Sequence, residues 1–254
     1  TPDTWLLWNL TNGRSHATDH SEASRTALLR LDTLTWDEEL ARACGIPLGL
    51  LADMRASDAD FGEVRPADLG LPGTRAVPIR AIMGDQMAGM FGHACLAPGS
   101  VKNTFGTASV LTVNTGSQPA ILDGLTASVG WTLGDRTAYE AEGVVFHSGQ
   151  TLQWLRDRLG VLKPGDDIDT IVSSVPDTGG VYLVPAFAGL CAPHWSRDAR
   201  ASIVGLRLES GAAQVVRAGV EAMAYQTRDN VDVLIAAGLP VPELKVDGGA
   251  ARSD

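Results

Sequence analysis

PIRAIMGDQMAGMFGHACLAPGSVKNTFGTASVLTVNTG, running from Pro78 to Gly116, is the stretch that decides the fold. Apolar Ile79, Ala81, Ile82 and Met83 lead straight into Gly84-Asp85-Gln86. A short continuous apolar run closed by Gly-Asp predicts a buried strand whose carboxyl end carries a polar group. Met87, Met90 and Phe91 follow at helical spacing, so Asp85 stands where a helix begins. In open α/β sheets ligands bind in the crevice at such strand ends. Farther on, Asn103-Thr104-Phe105-Gly106-Thr107 lies between strand-like residues and predicts a tight turn rich in backbone N–H groups and hydroxyls. A carboxylate and a Gly-Thr turn, a short link apart, suit an acceptor and a phosphate. On local pattern Asp85 serves equally well as the cap of its own helix.

Around that stretch, 254 residues are too many for one typical core and suit two domains, or one large one. A net charge of −10 argues against a nucleic-acid or anionic-membrane surface. It leaves room for a phosphate ligand, which backbone amides and a bound metal neutralise locally. Cys44, Cys95 and Cys191 lie far apart with no pairing pattern and read as reduced, buried thiols of a cytoplasmic protein. No signal peptide and no apolar run long enough to span a membrane are present. The chain opens at a helix start, Thr1-Pro2-Asp3-Thr4-Trp5, with no initiator Met. It closes on Gly248-Gly249-Ala250-Ala251-Arg252-Ser253-Asp254, just after strand-like Leu244-Lys245-Val246. Both ends lead to the expectation that this is an internal piece of a longer protein.

Taken in order, Pro2 to Leu10 predicts a short amphipathic helix bearing Trp5, Leu6, Trp8 and Leu10, closed by Asn12-Gly13. Thr18 to Thr26 is dense in hydroxyls and charge and reads first as a capped helix start. His16 and His20, four apart, can share a helix face, but two histidines without a third ligand make a poor metal site. A further short helix runs from Trp36 to Cys44, and Leu51 to Pro72 reads as a surface excursion. Beyond Gly116, Ile121 to Tyr139 predicts strands around Trp131 with a Gly134-Asp135 turn. Leu152, Leu155 and Leu159 predict an amphipathic helix with a Ser148 cap and a Gly160 stop. Gly149 in its first turn either admits a ligand close to the backbone or simply makes a tight turn. A strand over Gly180–Pro185 leads into a rigid Pro- and aromatic-bearing loop to Trp195, read as an interdomain wall or lid. The longest helix is predicted from Ala212 to Ala237, with Val216, Val220, Met223 and Leu234 along its core face.

Chemistry narrows by elimination. Neither a Cys/His/Asp metal cluster nor a Gly-x-Ser-x-Gly elbow is present, and Walker A and Gly-x-Gly-x-x-Gly patterns are missing too. What survives fits phosphoryl transfer to an alcohol, where the protein positions groups, stabilises charge and orients the attacking hydroxyl.

Several blocks then carry a resemblance: DTWLLWNLT from Asp3, ATDHSEASRT from Ala17, GDQMAGMFG from Gly84, KNTFGT from Lys102, QWLRDRLG from Gln153, VPDTGGVYLVPAF from Val175, GLCAPHW from Gly189, AYQTRD from Ala224 and VDGGA from Val246. Over essentially the whole chain these resemble the FGGY family of sugar kinases. The SRT and AYQTRD blocks are closer to its glycerol-phosphorylating members than to pentulose or gluconate kinases. The resemblance implies an α/β fold of two actin-like (ribonuclease H-like) domains, with ATP and substrate in the cleft between them. Both domains would be incomplete here: residues 1–92 the later part of the N-terminal one, residues 93–254 the earlier part of the C-terminal one. The family's first phosphate loop and its substrate-gripping Arg-Glu pair would lie before Thr1, so the isolated chain is expected to be inactive.

By the same resemblance Asp85 matches the general base and Gln86 a neighbour that touches the polyol. Gly106 and Thr107 match the hairpin for the nucleotide phosphates. Gly149 and Gln153 match nucleotide contacts at a helix start, Gly249 and Ala250 the turn on the adenosine side, and Ser253 a further nucleotide contact where the family tends to have Asn. Implied with these are ATP and Mg²⁺, a polyol acceptor with glycerol foremost, no nucleic acid, no membrane insertion, and a homo-oligomer at full length. Alternatives left open are another polyol or ketose as acceptor, and a non-catalytic actin-like nucleotide-binding protein. Val110 departs from the pattern: an aromatic residue usually stands there against the polyol carbons. Gly219 departs too, costing its helix up to about 1 kcal/mol relative to Ala unless close packing requires it.

Overall fold

The computed structural model describes residues 1–252. In chain order it contains α1 (Pro2–Leu10), β1 (Ala17–Asp19), α2 (His20–Ser24), β2 (Leu29–Arg30), β3 (Thr35–Trp36), α3 (Glu38–Ala43), β4 (Asp53–Arg55), β5 (Gly62–Val64), β6 (Val77–Ile79) and α4 (Asp85–Gly92). Then come β7 (Val101–Phe105), β8 (Ser109–Gly116), β9 (Thr126–Leu133), β10 (Arg136–Val145), α5 (Gly149–Asp157), α6 (Ile168–Ser173), β11 (Tyr182–Val184), β12 (Ser202–Val204), α7 (Ala212–Ala236) and β13 (Leu244–Asp247). The chain divides into two compact units. One holds residues 1–98, 114–120 and 127–141; the other holds 99–113, 121–126 and the chain from 142 onward. Among the described residues no helix is long and apolar enough to cross a membrane.

In the first unit β1 and β4 pair in parallel, and β5 pairs antiparallel with β6. One small core gathers Leu7, Ala17 and Phe61, with Ile79 and Ile82 against it. A second gathers Met90, Cys95 and Trp131, where Phe91 meets Trp131 edge-on at 5.3 Å. Five expectations need correction here. The strand before Asp85 stops at Ile79, where its pairing with Gly62 ends, and Ala81–Met83 reach Gly84 outside any strand. The segment from Leu51 to Pro72 is no mere excursion: it supplies β4, β5 and the fully buried Phe61. α1 buries Thr4 and Leu7, leaving Trp5, Leu6 and Trp8 exposed, so its apolar residues do not form one inward face. His16 and His20 share no helix, because β1 separates them. Cys44, at the end of α3, is exposed rather than buried.

In the second unit β7 lies between β13 and β8, parallel to the first and antiparallel to the second. Here the turn of the KNTFGT block is shorter than the sequence suggests: Asn103 and Thr104 belong to β7, and the reversal occupies Gly106–Ala108. The Gly134-Asp135 turn, which belongs to the first unit, joins β9 to β10 as expected, with Gly134 at φ 59°. The main core of this unit gathers Leu155 of α5, Leu183 of β11 and Val216, Ala218 and Ala222 of α7. α6 and β12 were not foreseen in the sequence; both are short, and α6 buries no residue fully.

Gly219 now has a reason. A Cβ built there would stand 2.7 Å from Leu155 Cδ1, where α5 and α7 pack. Gly219→Ala gains up to about 1 kcal/mol of helix propensity. It also overpacks a fully buried contact, at a cost of about 1–3 kcal/mol. The expected net result is a loss of about 1 kcal/mol, read as a lower urea midpoint with unchanged slope. A higher midpoint would mean that Leu155 swings aside freely.

Candidate active site

Asp85 is the first residue of α4, with Gly84 at the N-cap, so it does not itself cap the helix. Its side chain is exposed and its Oδ1 accepts the Gln86 N–H at 2.7 Å. Gln86 is half-buried beside it. Behind these residues lies a buried hydrogen-bond hub that sequence reasoning read only as a capped turn. Asp19, fully buried, caps α2 by accepting the Glu22 N–H at 2.9 Å. It also accepts from the hydroxyls of Ser21 at 2.8 Å and Ser57 at 2.6 Å. Glu22 reaches toward the same place, its Oε1 lying 3.1 Å from where a Cβ on Gly84 would be. Burial, and after it the carboxylates of Asp3, Asp19 and Asp85, push the Glu22 carboxyl above the usual range. His20 turns inward to Thr132, Nδ1 to Oγ1 2.9 Å, and burial lowers its pKa against the opposing pull of Asp19. The signal that marks this hub in the sequence is Asp19-x-x-Glu22, an acid at a helix start followed by Glu at the third position.

The second unit brings most of the remaining candidates together where β7 and β13 end. Gly106 and Thr107 form the tip of the β7–β8 hairpin, and Thr107 is exposed. Gly149, at the start of α5, donates to Gly106 O at 3.0 Å; Ser148 and Gln150 donate to Thr107 O at 3.1 and 3.2 Å. Those carbonyls therefore already engage the amides of the α5 first turn. For the same reason Ser148 holds the N-cap position without capping: its hydroxyl is buried without a partner, and the hairpin does the work instead. A Cβ on Gly149 would sit 2.8 Å from Gly106 O, so only glycine permits this approach. Below the hairpin tip, Asn103 and Ser109 bridge β7 and β8 through a buried pair of side-chain hydrogen bonds at 2.9 and 3.1 Å.

Gly249 and Ala250 follow β13 through Gly248, where the Phe105 backbone leaves no room for a Cβ. Gln153 stands one turn along α5 and opens into a cavity of about 490 Å³ that His147, Gln150, Trp154 and Phe187 also line. His147 Nε2 accepts the Ala188 N–H at 3.1 Å, which places its proton on Nδ1, facing Gln150 Oε1 at 2.9 Å. Trp154 and Phe187 pack at a 45° tilt with ring centres 4.8 Å apart. Within this unit the loop expected to be rigid is pinned by Trp195 Nε1 to Gly124 O at 2.7 Å and by His194 to Asp229 at 3.1 Å. Val110 lies on β8 opposite Thr104, half-buried and three residues from the hairpin Thr107. Ser253 lies outside the described residues.

Comparison with known proteins gives these positions a family. The glycerol kinase of Desulfitobacterium hafniense is 47% identical over 252 residues, covering 98% of this chain and 50% of that protein. The glycerol kinase of Thermus brockianus is 47% identical over 256 residues, covering 100% of this chain and 51% of that protein. The crystal structure of Plasmodium falciparum glycerol kinase with ADP superposes with a TM-score of 0.89 at 32% identity, over 100% of this chain and 51% of that one. The chain thus spans about half the length of the curated relatives it matches. Residues 1–92 match the N-terminal domain of the FGGY family of carbohydrate kinases and residues 101–254 its C-terminal domain. With that two-domain α/β fold and that match along its length, the chain belongs to the FGGY family of carbohydrate kinases.

Proposed function

We propose that this chain forms part of an ATP-dependent kinase that phosphorylates a polyol hydroxyl, with glycerol as acceptor and glycerol 3-phosphate as product. The observation that carries this reading is identity near 45% to proteins named glycerol kinase, along essentially the whole chain. In the proposed reaction Asp85 takes the proton of the attacking hydroxyl and Gln86 holds the polyol beside it. Gly106 and Thr107 receive the phosphates, while Gly149, Gln153, Gly249, Ala250 and Ser253 contact the nucleotide. Residues 1–92 would serve as the later part of the N-terminal kinase domain and 93–254 as the earlier part of the C-terminal one. A boundary near residue 93 is supported by the two separate family matches.

Mg²⁺ in such sites is held largely by substrate phosphates with one or two carboxylates. Among the described residues no group of three or more His, Cys, Asp or Glu is placed to hold a metal alone. The ion would therefore be held by the phosphates of the nucleotide that brings it. Bound there, the ion would offset charge on the phosphates; the proton of the hydroxyl remains the task of Asp85. Cytoplasmic residence and a homo-oligomeric assembly at full length complete the proposal.

A second reading rests on Val110. A half-buried Val on β8 leaves more room beside the acceptor than an aromatic side chain, which suits a larger polyol or a ketose. Full-length enzyme assayed with glycerol, dihydroxyacetone and pentuloses separates the two. The glycerol reading predicts kcat/KM for glycerol at least about tenfold above any ketose; equal or reversed values would transfer the assignment to the larger acceptor.

A further inference from the structure

Asp19 has no part in the reaction proposed above, yet two hydrogen bonds link it to Gly84, the residue before Asp85. A carboxylate with no exposed surface is costly unless its oxygens are satisfied. Asp19 collects three donors, from Ser21, Ser57 and the Glu22 amide. One of these is a relay. The Ser21 hydroxyl commits its proton to Asp19, so its lone pairs face outward, and they accept the Gly84 N–H at 2.9 Å. Gly84 is the N-cap of α4, and Asp85 is the next residue. Hydrogen bonds to an ionised acceptor are about twice as strong as neutral ones, and they polarise the hydroxyl they receive from.

The other oxygen of Asp19 ties in a second segment. Ser57 donates to it and accepts the Thr132 N–H at 3.1 Å, so β9 is anchored to the same carboxylate. Gly84 also fits tightly: an added Cβ would stand 3.1 Å from Glu22 Oε1 and 3.2 Å from Met87 Sδ. The amide that precedes Asp85 is therefore held both by a hydrogen bond and by packing.

We propose that Asp19 and Ser21 are positioning residues for Asp85. The polarised hydroxyl of Ser21 fixes the amide one residue before it and so sets the direction in which α4 presents its first carboxylate. This rests on Asp85 acting as the base. The test uses the full-length protein in the variants Ser21→Ala, Ser21→Thr, Asp19→Asn and Asp85→Asn. Ser21→Ala should lower kcat by about 10- to 100-fold, the scale of a small misplacement of a reacting group, with KM for ATP unchanged. Ser21→Thr keeps the hydroxyl and should restore most of kcat. Asp19→Asn should lower kcat in the same direction by a smaller factor, since an acceptor oxygen remains. If Asp85→Asn is inactive but Ser21→Ala keeps the parent kcat, the positioning role is wrong and the base reading survives. A Ser21→Ala variant whose kcat and KM both worsen in step with loss of folded protein is structural only, and also overturns the proposal. An active Asp85→Asn removes the base reading and this inference with it.

Discussion

Replacing Asp85 with Asn in the full-length protein is expected to slow phosphoryl transfer by about 10²- to 10⁴-fold, the usual contribution of a positioned general base. The substitution is chosen because it changes little else. Asn retains an oxygen where Asp85 Oδ1 accepts the Gln86 N–H at 2.7 Å, so the first turn of α4 keeps that bond. The side chain is exposed, so no buried charge is stranded and no cavity is opened. What Asn cannot do is take a proton. The groups proposed to hold the nucleotide lie on other elements, at the β7–β8 hairpin, the start of α5 and the turn after β13. ADP affinity should therefore stay within about twofold, the pattern of an interaction made only in the transition state. Release of ADP, followed with glycerol present, reads the rate, and calorimetry reads the affinity. A variant that turned over within tenfold of the parent would show that the hydroxyl loses its proton elsewhere.

Much of this arrangement was legible in the sequence, and the parts that were not share a physical cause. α7 was readable nearly to the residue because twenty-five residues of one periodicity leave little choice, with Gly238 and Pro240 at its end. The β9–β10 hairpin was readable from Gly134-Asp135, and the hairpin of Gly106 and Thr107 from the strand-like residues on either side. β6 ends early because an apolar run fixes neither pairing nor full burial. Ile82 and Met83 are partly buried and Ala81 is exposed, while the ladder partner ends at Gly62. The Trp5, Leu6 and Trp8 of α1 misled for the converse reason: apolar character does not guarantee a surface to pack on. The Asp19 hub escaped because its partners are non-local. Ser57 lies 38 residues away and Gly84 lies 63 from Ser21, and no spacing rule joins them. Ser148 shows a subtler limit, since it occupies the cap position while distant carbonyls take over the capping.

Gly248→Ala is expected to be the most destabilising of the conservative changes considered, and its neighbour Gly249→Ala among the mildest. Gly248 lies at φ 95°, in the region that favours glycine, and a Cβ there would meet Phe105 O at 2.3 Å and Phe105 N at 2.9 Å. Both atoms are backbone of β7 and belong to the strand that pairs with β13, so they cannot turn aside as a side chain would. Backbone strain of about 1–3 kcal/mol adds to overpacking of about 1–3 kcal/mol, for an expected loss of about 2–5 kcal/mol. Gly249 has no positive φ, and nothing stands within 4 Å of its added Cβ, so its replacement should stay within about 0.5 kcal/mol. Urea unfolding of the two variants measures both effects. The pair also isolates the nucleotide proposal. If ADP lies against the turn after β13, Gly249→Ala should weaken its binding while leaving the unfolding midpoint in place, because the methyl occupies space the ligand needs. Equal stability losses at the two positions would mean that the turn is set by something other than the backbone of Phe105. Unchanged ADP affinity in Gly249→Ala would place the nucleotide away from this turn.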